Sequence, residues 1–456
     1  MIQHKNVKWW MLALSIVTAI GLTGCGSDSN KGGTPSAGTG DTENKAEGGS
    51  DTGDKKDTKL VFWHYLNDRH DLLKEMAADF ETKTGIKVDV QLFGGDGFKQ
   101  KVMASVQNNS LPDVMTFSGG AGDLGQLVES GNIMELGEMS DMFDKFPGSV
   151  LKTYSYDENN IFGVKHYGTY AIPMDTNNMQ FIYNTKLFEQ AGIASAPATW
   201  EELLAAVDKL KAADIVPFAT GIGSWVAGTL VAPYEFAYLG EEKVLSVKQG
   251  KEPLMDSGYL QVLQRFEDLY KHGAYAEGIA TMDLPMAEQM FVNEEVAMIF
   301  DGSWAIGVFN EMNPEFTQYD AFLPPKPADA AYEVKISGGI GVPLVIDNHT
   351  KNKDAAMQFV RFLVEKEQQQ KYAEKSFNLP ANIEAAKSED GMSPALRHFS
   401  LGMTHVFENG GSYPAPSVET VLQKGIQLIA IGQSTPEQVL KEMDAELQKA
   451  LKEKKE

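Results

Sequence analysis

Residues 59–92 read KLVFWHYLNDRHDLLKEMAADFETKTGIKVDVQL, and the fold class follows from the change of period inside that stretch. Leu60-Val61-Phe62-Trp63 is a short continuous apolar run, the pattern of a buried strand. Polar Asn67-Asp68-Arg69 interrupts it. Leu72, Leu73, Met76, Ala77 and Phe80 then recur at helical spacing and mark one face of a helix. Gly85 suits the end of that helix, because glycine enters the left-handed region without a Cβ penalty. Ile86, Val88, Val90 and Leu92 alternate as a second strand. A strand, a helix and a strand in that order make a parallel pair, and such units build open sheets covered by helices.

Working downstream, a helix is predicted around Lys99 to Gln107, and Leu111-Pro112-Asp113 leads into the strand Val114-Met115-Thr116-Phe117. Ligands of open α/β sheets bind beyond the carboxyl ends of strands. Ser118-Gly119-Gly120 and the loop through Asp123 therefore stand where a ligand could sit. Phe181 to Asn184 reads as a strand and Lys186 to Gln190 as a short helix. Thr199 and Glu202 have capping-box spacing at the head of a longer helix, with Leu203, Leu204, Val207 and Leu210 as its apolar stripe. Glu295 to Phe300 is a strand running into Asp301-Gly302-Ser303-Trp304. Ala355 to Tyr372 reads as one amphipathic helix and Pro436 to Leu451 as a terminal one. No internal repeat is present.

Upstream of residue 59 the chain has a different character. Lys5 and Lys8 precede an apolar run from Trp9 to Ile20, followed by Leu22-Thr23-Gly24-Cys25. A run of that length ending in small residues has the form of a secretory signal rather than a spanning helix. Leu-Thr-Gly-Cys has the form of the bacterial lipobox, and Cys25 is the only cysteine in the chain. Residues 1–24 are thus expected to be a cleaved signal, with lipidated Cys25 holding the protein on the outer side of the cytoplasmic membrane. Two or more acyl chains anchor stably, at roughly 0.8 kcal/mol per buried methylene. From Gly26 to Thr58 no aromatic or large aliphatic residue occurs, so residues 25–58 are expected to be a disordered tether. Its r.m.s. span as a flexible coil is roughly 30 Å.

Composition narrows the function. The net charge of −23 becomes two units more negative without Lys5 and Lys8, which argues against nucleic acid or anionic headgroups as partners. A single cysteine allows no intramolecular disulfide, so stability must come from core burial. The remaining length exceeds one compact core and implies two lobes.

Trp304 follows a strand directly behind a Gly-Ser turn, where an indole can be presented to a sugar ring or can anchor a helix to its sheet. Trp225 lies in Gly221-Ile222-Gly223-Ser224-Trp225-Val226-Ala227-Gly228, a stretch without a strong helix signal whose glycines suit either ligand approach or an ordinary loop. Trp200, in a capped first turn, reads as core, and Trp63 at a strand end could be core or ligand contact. His64, Tyr65, Asn67, Asp68, Arg69 and His70 crowd the first β-α loop without matching a zinc spacing, so no metal is expected. Asp113 reads as a turn residue. Among 63 acidic residues no catalytic pair stands out, and neither a G-x-S-x-G elbow nor a P-loop occurs. Any ATP hydrolysis must take place on another protein.

In order and spacing, Leu60-Val61-Phe62-Trp63, Thr84-Gly85-Ile86-Lys87-Val88, Leu111-Pro112-Asp113-Val114, Ile172-Pro173, Tyr183-Asn184-x-x-x-Phe188, Pro197-x-Thr199-Trp200-Glu201-Glu202-Leu203 and Ala297-Met298-x-x-x-Gly302-x-Trp304 form a recognisable series. From Lys59 onward the chain resembles the extracellular solute-binding proteins of ATP-binding-cassette importers, in the carbohydrate group that includes maltose-binding protein. The resemblance implies a two-lobe, type II periplasmic-binding-protein-like α/β fold, each lobe a mostly parallel sheet flanked by helices, with the ligand cleft between lobes. It implies a first lobe of residues 59–172 and 336–378, and a second of 173–335 and 379–456. It also implies a monomer that binds a carbohydrate, performs no chemistry, needs no cofactor, and delivers its ligand to permease subunits served by a separate ATPase. Ligand contacts would come from Trp304, Trp225, Ser118, Asp123, Asn177, Asp175 and the first loop with Trp63, His64 and Asp68. That loop departs from the maltose-binding pattern. A non-sugar solute, such as a polyamine, metal chelate or peptide, and a surface carbohydrate-active enzyme are the competing readings.

Overall fold

The computed structural model describes residues 58–255, 258–388, 392–407 and 410–453, so the expected signal, Cys25 and nearly all of the tether lie outside it. Strand β1 (Lys59–His64) pairs in parallel with β2 (Lys87–Leu92), Lys59 opposite Lys87 and His64 opposite Leu92. The helix His70–Thr84 between them buries Leu72, Leu73, Met76, Ala77 and Phe80, and Gly85 ends it with φ 77° and its N–H on the Glu81 carbonyl. On the other side of β1 lies parallel β3 (Val114–Thr116). A separate hairpin joins β4 (Ser155–Tyr156) to β5 (Gly168–Thr169).

The chain then crosses to a second sheet. Strand β6 (Ile172–Pro173) is followed, after Met174, by the ten-residue β7 (Asp175–Asn184). The second sheet adds β8 (Phe218–Ala219), β9 (Met298–Gly302) and β10 (Tyr319–Phe322). The return runs through β11 (Gly338–Ile340) into β12 (Pro343–Ile346), and β13 (Leu379–Pro380) rejoins β7. The strand orders are β2-β1-β3-β12-β6 in the first sheet and β10-β7-β9-β8 in the second, with β11 and β13 paired on β7. The result is an α/β protein of two lobes. One continuous apolar core, centred on Phe181, Phe218, Phe300 and Trp200, fills the second lobe, while the first lobe has one on each face of its sheet.

Both sheets are mixed rather than mostly parallel. In the first, β12 is antiparallel to β3 and to β6; in the second, β9, β10, β11 and β13 are all antiparallel to β7 and only β8–β9 is parallel. The cause is the crossing itself. Helical connections keep β8 and β9 parallel, whereas β7 enters that sheet from the other lobe and runs against them.

Two helix expectations also change. The stretch from Ala355 to Tyr372 is two helices, Lys353–Leu363 and Lys366–Ser376, separated at Val364 and an extended Glu365. The amides of Gln369 and Asn382 stabilise the break by donating to the freed Leu363 and Val364 carbonyls at 3.0 and 2.9 Å. Trp225, assigned no helix above, immediately precedes the helix Val226–Leu239. That helix is buried on nearly every side, so it carries no polar stripe to announce its period.

Asp113 ties together segments of the first lobe that are distant in sequence. Its carboxylate accepts the Val61 N–H at 2.8 Å, the Asn352 amide at 3.1 Å and the Thr350 hydroxyl. Asp113→Ala should lower unfolding free energy by about 2–4 kcal/mol, because three partly buried donors lose one shared acceptor. Urea denaturation of the variant against the parent measures this, and a loss below 0.5 kcal/mol (the ordinary scatter of surface changes) would contradict the assigned role.

Candidate functional site

Strand directions locate the site. β6 leads out of the first sheet toward the crossing, and because β6 and β3 are each antiparallel to β12, β1 and β3 point the same way. Their carboxyl-end loops, residues 65–69 and 117–120, are thus directed at the second lobe. In the second sheet, β9 runs antiparallel to β7, from Met298 opposite Tyr183 to Gly302 opposite Met179, so β8 and β9 end toward the crossing. Loops at the carboxyl ends of both sheets converge on one junction, the usual ligand position in open α/β sheets.

On the second lobe the adjacent parallel strands β8 and β9 each run into a helix, and each helix is preceded by a tryptophan. Trp225 heads Val226–Leu239 and Trp304 heads Ala305–Met312. Parallel neighbours place both turns at the same end of the sheet, and the two indole centroids lie 6.2 Å apart at 45°. Trp225 is 51% exposed, and Trp304 is half-buried against the core. A Cβ at position 302 would collide with the six-membered ring of Trp304, so Gly302 lets the indole fold back over the strand end. The Ser303 N–H donates to the Asn178 carbonyl at 3.0 Å, which fixes this turn beside β7. The structure therefore brings Trp225 and Trp304 together as one aromatic surface.

On the first lobe, Ser118 lies in the loop after β3, whereas Asp123, expected in the same loop, is in the first turn of the helix Ala121–Glu129; both line a small cavity of about 90 Å³ with Phe98, Lys99 and Phe117. The Tyr154 and Tyr156 hydroxyls hold the loop by donating to the Gly119 and Ala121 carbonyls, each at 2.6 Å. Asp123 accepts the Gly120 N–H and the Lys99 ammonium, both at 3.1 Å, so its carboxylate is committed to shaping the loop. Trp63 is only 6% exposed; its indole N–H donates to Gln91 at 3.0 Å and Lys101 lies over its ring. His64 is fully buried and stacked between Phe62 and His70. These two residues pack the lobe rather than face the junction. Trp200 is buried as expected.

Between the lobes, Asp175 and Asn177 share one face of β7, opposite Thr176, Asn178 and Gln180. Asn178 and Gln180 donate to the Phe399 and His398 carbonyls of the helix Pro394–Gly402. The other face is therefore left to the junction. Asp175 is buried and accepts the Arg69 guanidinium and the Tyr372 hydroxyl, each at 2.7 Å. Burial pushes its carboxyl up, and Arg69 and Tyr372 pull against that rise. Arg69 also holds exposed Asp68 at 2.9 Å, so the chain Asp68–Arg69–Asp175 joins the first loop to the crossing strand. Asn177 is half-buried on the same face, opposite Gly339 of β11.

The roles of Arg69 at the crossing and of Tyr154 and Tyr156 as loop supports are not evident from sequence pattern, apart from the signal of an arginine beside an aspartate in the first β-α loop. A pair of carboxyl groups does exist beneath Trp304, formed by Asp301 and Glu288. Asp301 is fully buried, and burial together with the nearby Glu288 pushes its pKa well up; burial raises that of Glu288 too. Among the described residues no group of three or more His, Cys, Asp or Glu side chains could hold a metal ion, and no helix is long and apolar enough to cross a membrane.

With this geometry in view, residues 75–397 match the family model described as bacterial extracellular solute-binding protein. A multiple sugar-binding protein of Streptococcus mutans is 22% identical over 335 residues, 70% of this chain and 74% of that one. A maltooligosaccharide ABC transporter solute-binding lipoprotein of Streptococcus pneumoniae is 24% identical over 360 residues, 76% of each chain. The solved structure of a cyclic α-maltosyl-1,6-maltose binding protein from Arthrobacter globiformis has the same two-lobe fold, with a TM-score of 0.68 at 18% identity over 87% of this chain and 100% of that one.

Burial, followed by the positive charges of His70 and Arg69, lowers the His64 pKa to about 4. The unfolded chain takes up that proton near pH 6.5, whereas the folded chain resists it until about 4. Stability from this residue is therefore complete above pH 6.5 and is lost as pH falls toward 4, by roughly 3 kcal/mol in all. His64→Gln should flatten the pH dependence of unfolding free energy across that window, as read from denaturant curves at half-unit steps; an unchanged slope would contradict the assignment.

Proposed function

The chain belongs to the bacterial extracellular solute-binding proteins, and from that premise we propose that it is a lipid-anchored receptor that captures a sugar or oligosaccharide between its lobes and delivers it to an ABC permease. The observation that carries the sugar class is the Trp225–Trp304 pair, 6.2 Å apart and partly exposed at the junction. Two indoles at that spacing offer a continuous apolar surface to the C–H faces of pyranose rings, and their edges offer N–H donors to hydroxyls. Ser118 and Asn177 supply polar groups from the first lobe and from the crossing strand.

In this reading the lobes comprise residues 59–172 with 336–378 and 173–335 with 379–456. On the sheet register the return passes at Gly341-Val342, between β11 and β12. Closure is a population shift, favoured because only the closed arrangement lets one ligand touch both lobes. In this reading no reaction is needed, and the carboxyl groups of Asp301 and Glu288 are buried within the second lobe. Cys25 and the tether place the receptor on the extracytoplasmic face, as a monomer. A lipoprotein name for the pneumococcal relative supports the anchor.

Trp304→Ala should weaken binding of the best ligand from an oligosaccharide screen by at least ~1 kcal/mol, the worth of one aromatic stacking contact. Gly302→Ala should weaken it too, by displacing the same indole. Isothermal titration calorimetry measures both, and unchanged affinity in the two variants would remove the indole pair from the site.

A further inference from the structure

The indole pair has a polar neighbour that no comparison assigns. Trp225, Gly228 and Thr229 lie at i, i+3 and i+4 and form the accessible side of the first turn of their helix, while Val226, Ala227, Leu230 and Val231 are buried. Against this side runs the helix Pro416–Ala430. Its Glu419, Gln423 and Gln427 are spaced by four and share one face. Gln427 donates to the Ile222 carbonyl at 3.0 Å, which seats the helix along the loop that carries Trp225. Further up the same face, the Glu419 carboxylate occupies the space that a Cβ at Gly228 would need, with the Gln423 amide nitrogen 3.7 Å from that point. The glycine thus opens a notch one helical turn from Trp225, and a carboxylate fills it.

We propose that Glu419 is a specificity-determining residue of the ligand site: its carboxylate accepts hydrogen bonds from hydroxyls of a neutral saccharide lying on Trp225 and Trp304, Gln423 supplies a second polar contact, and the same negative charge turns away acidic sugars such as uronates. This rests on the binding reading above and adds the class of sugar to it. Glu419 and Gln423 are both half-buried, so a ligand can reach them. Lys248, a positive charge that acts on Glu419, has its ammonium paired with Glu235 at 2.7 Å. The carboxylate therefore retains acceptor capacity, with Gln423 as its side-chain partner. Burial raises its pKa, as it does for any carboxylate withdrawn from water. A structural account, in which Glu419 only packs against Gly228, predicts no change of sugar preference when Glu419 is substituted, and this gives the test its contrast.

The full chain, held in mild detergent, is titrated by calorimetry with maltotriose, raffinose, diacetylchitobiose and digalacturonate, alongside Trp304→Ala, Glu419→Gln, Glu419→Ala and Gln423→Ala. Thermal melts verify that each variant is folded, and the isosteric Glu419→Gln keeps the question open if Glu419→Ala does not fold. The expected result is a parent that binds at least one neutral sugar and not digalacturonate. Both Glu419 variants should then lose roughly tenfold or more for the neutral sugar, as a hydrogen bond to a charged group implies. In Glu419→Gln the neutral-over-acidic preference should narrow as well. Affinity and preference within twofold of the parent in both Glu419 variants, while Trp304→Ala is impaired, overturn the role of Glu419 and leave the aromatic site standing. A parent that binds none of the neutral sugars overturns the sugar reading and this inference together.

Discussion

Everything in this molecule is referred to one unbroken strand. β7 begins at the edge of the first lobe and ends ten residues later inside the second, with β11 and β10 along one edge and β13 and β9 along the other. A strand alternates its side chains with a period of two, so Asp175 and Asn177 cannot change face relative to Asn178 and Gln180 without moving every side chain of the strand. One set is committed to the helix Pro394–Gly402; the other is delivered to the junction. The direction of β7 also sets the direction of β8 and β9, and hence the end of the sheet at which the two tryptophans emerge.

The crossing is made rigid by a buried ion pair and close by glycine. Arg69, Asp175 and Tyr372 come from the first β-α loop, the crossing strand and the helix Lys366–Ser376, and they meet within hydrogen-bond distance. Burying such a group costs desolvation, and removing one partner would leave a charge stranded. The arrangement is thus a weak source of stability and a strong source of geometry: it holds the first loop in one register relative to β7. Gly341 supports the same contact, since a Cβ there would collide with Asp175. The returning strand can approach β7 closely only because that position has no side chain.

Much of this was legible in the sequence where local pattern and burial agree. The β1–β2 unit, its Gly85 terminus and the Thr199–Glu202 capping box all appear as the residues predict, with the Glu202 N–H on Thr199 at 3.2 Å. The pairing of Trp225 with Trp304 was not legible, since it depends on β8 and β9 being neighbours across an interval of some eighty residues. The helix after Trp225 was hidden because it is apolar on all sides and contains Pro233. The break near Val364 was hidden because side chains from Gln369 and Asn382 stabilise it, and their partners are fixed only in three dimensions. Trp63 and His64 pointed toward the ligand by position along the chain, yet the loop after β1 turns at Leu66 and directs Arg69 inward instead.

The placement of charge fits the proposed function, in which the site holds a ligand and lets it go unchanged. Acidic groups near the indoles are of two kinds. Asp301 and Glu288 are withdrawn into the lobe, where burial favours the protonated form and removes them from contact with solvent. Asp175 is buried at the crossing and accepts from Arg69 and Tyr372, so its carboxylate is engaged by the fold rather than offered to a ligand. What the second lobe and the crossing strand leave accessible at the junction is aromatic surface and the neutral polar Asn177, joined in the proposed site by the half-buried carboxylate of Glu419. Stacking and hydrogen bonds of that kind are individually modest and reversible, and they require both lobes to act together. In the proposed function a ligand gripped this way is bound only while the lobes stay closed, and an interaction that separates them would release it with every covalent bond intact.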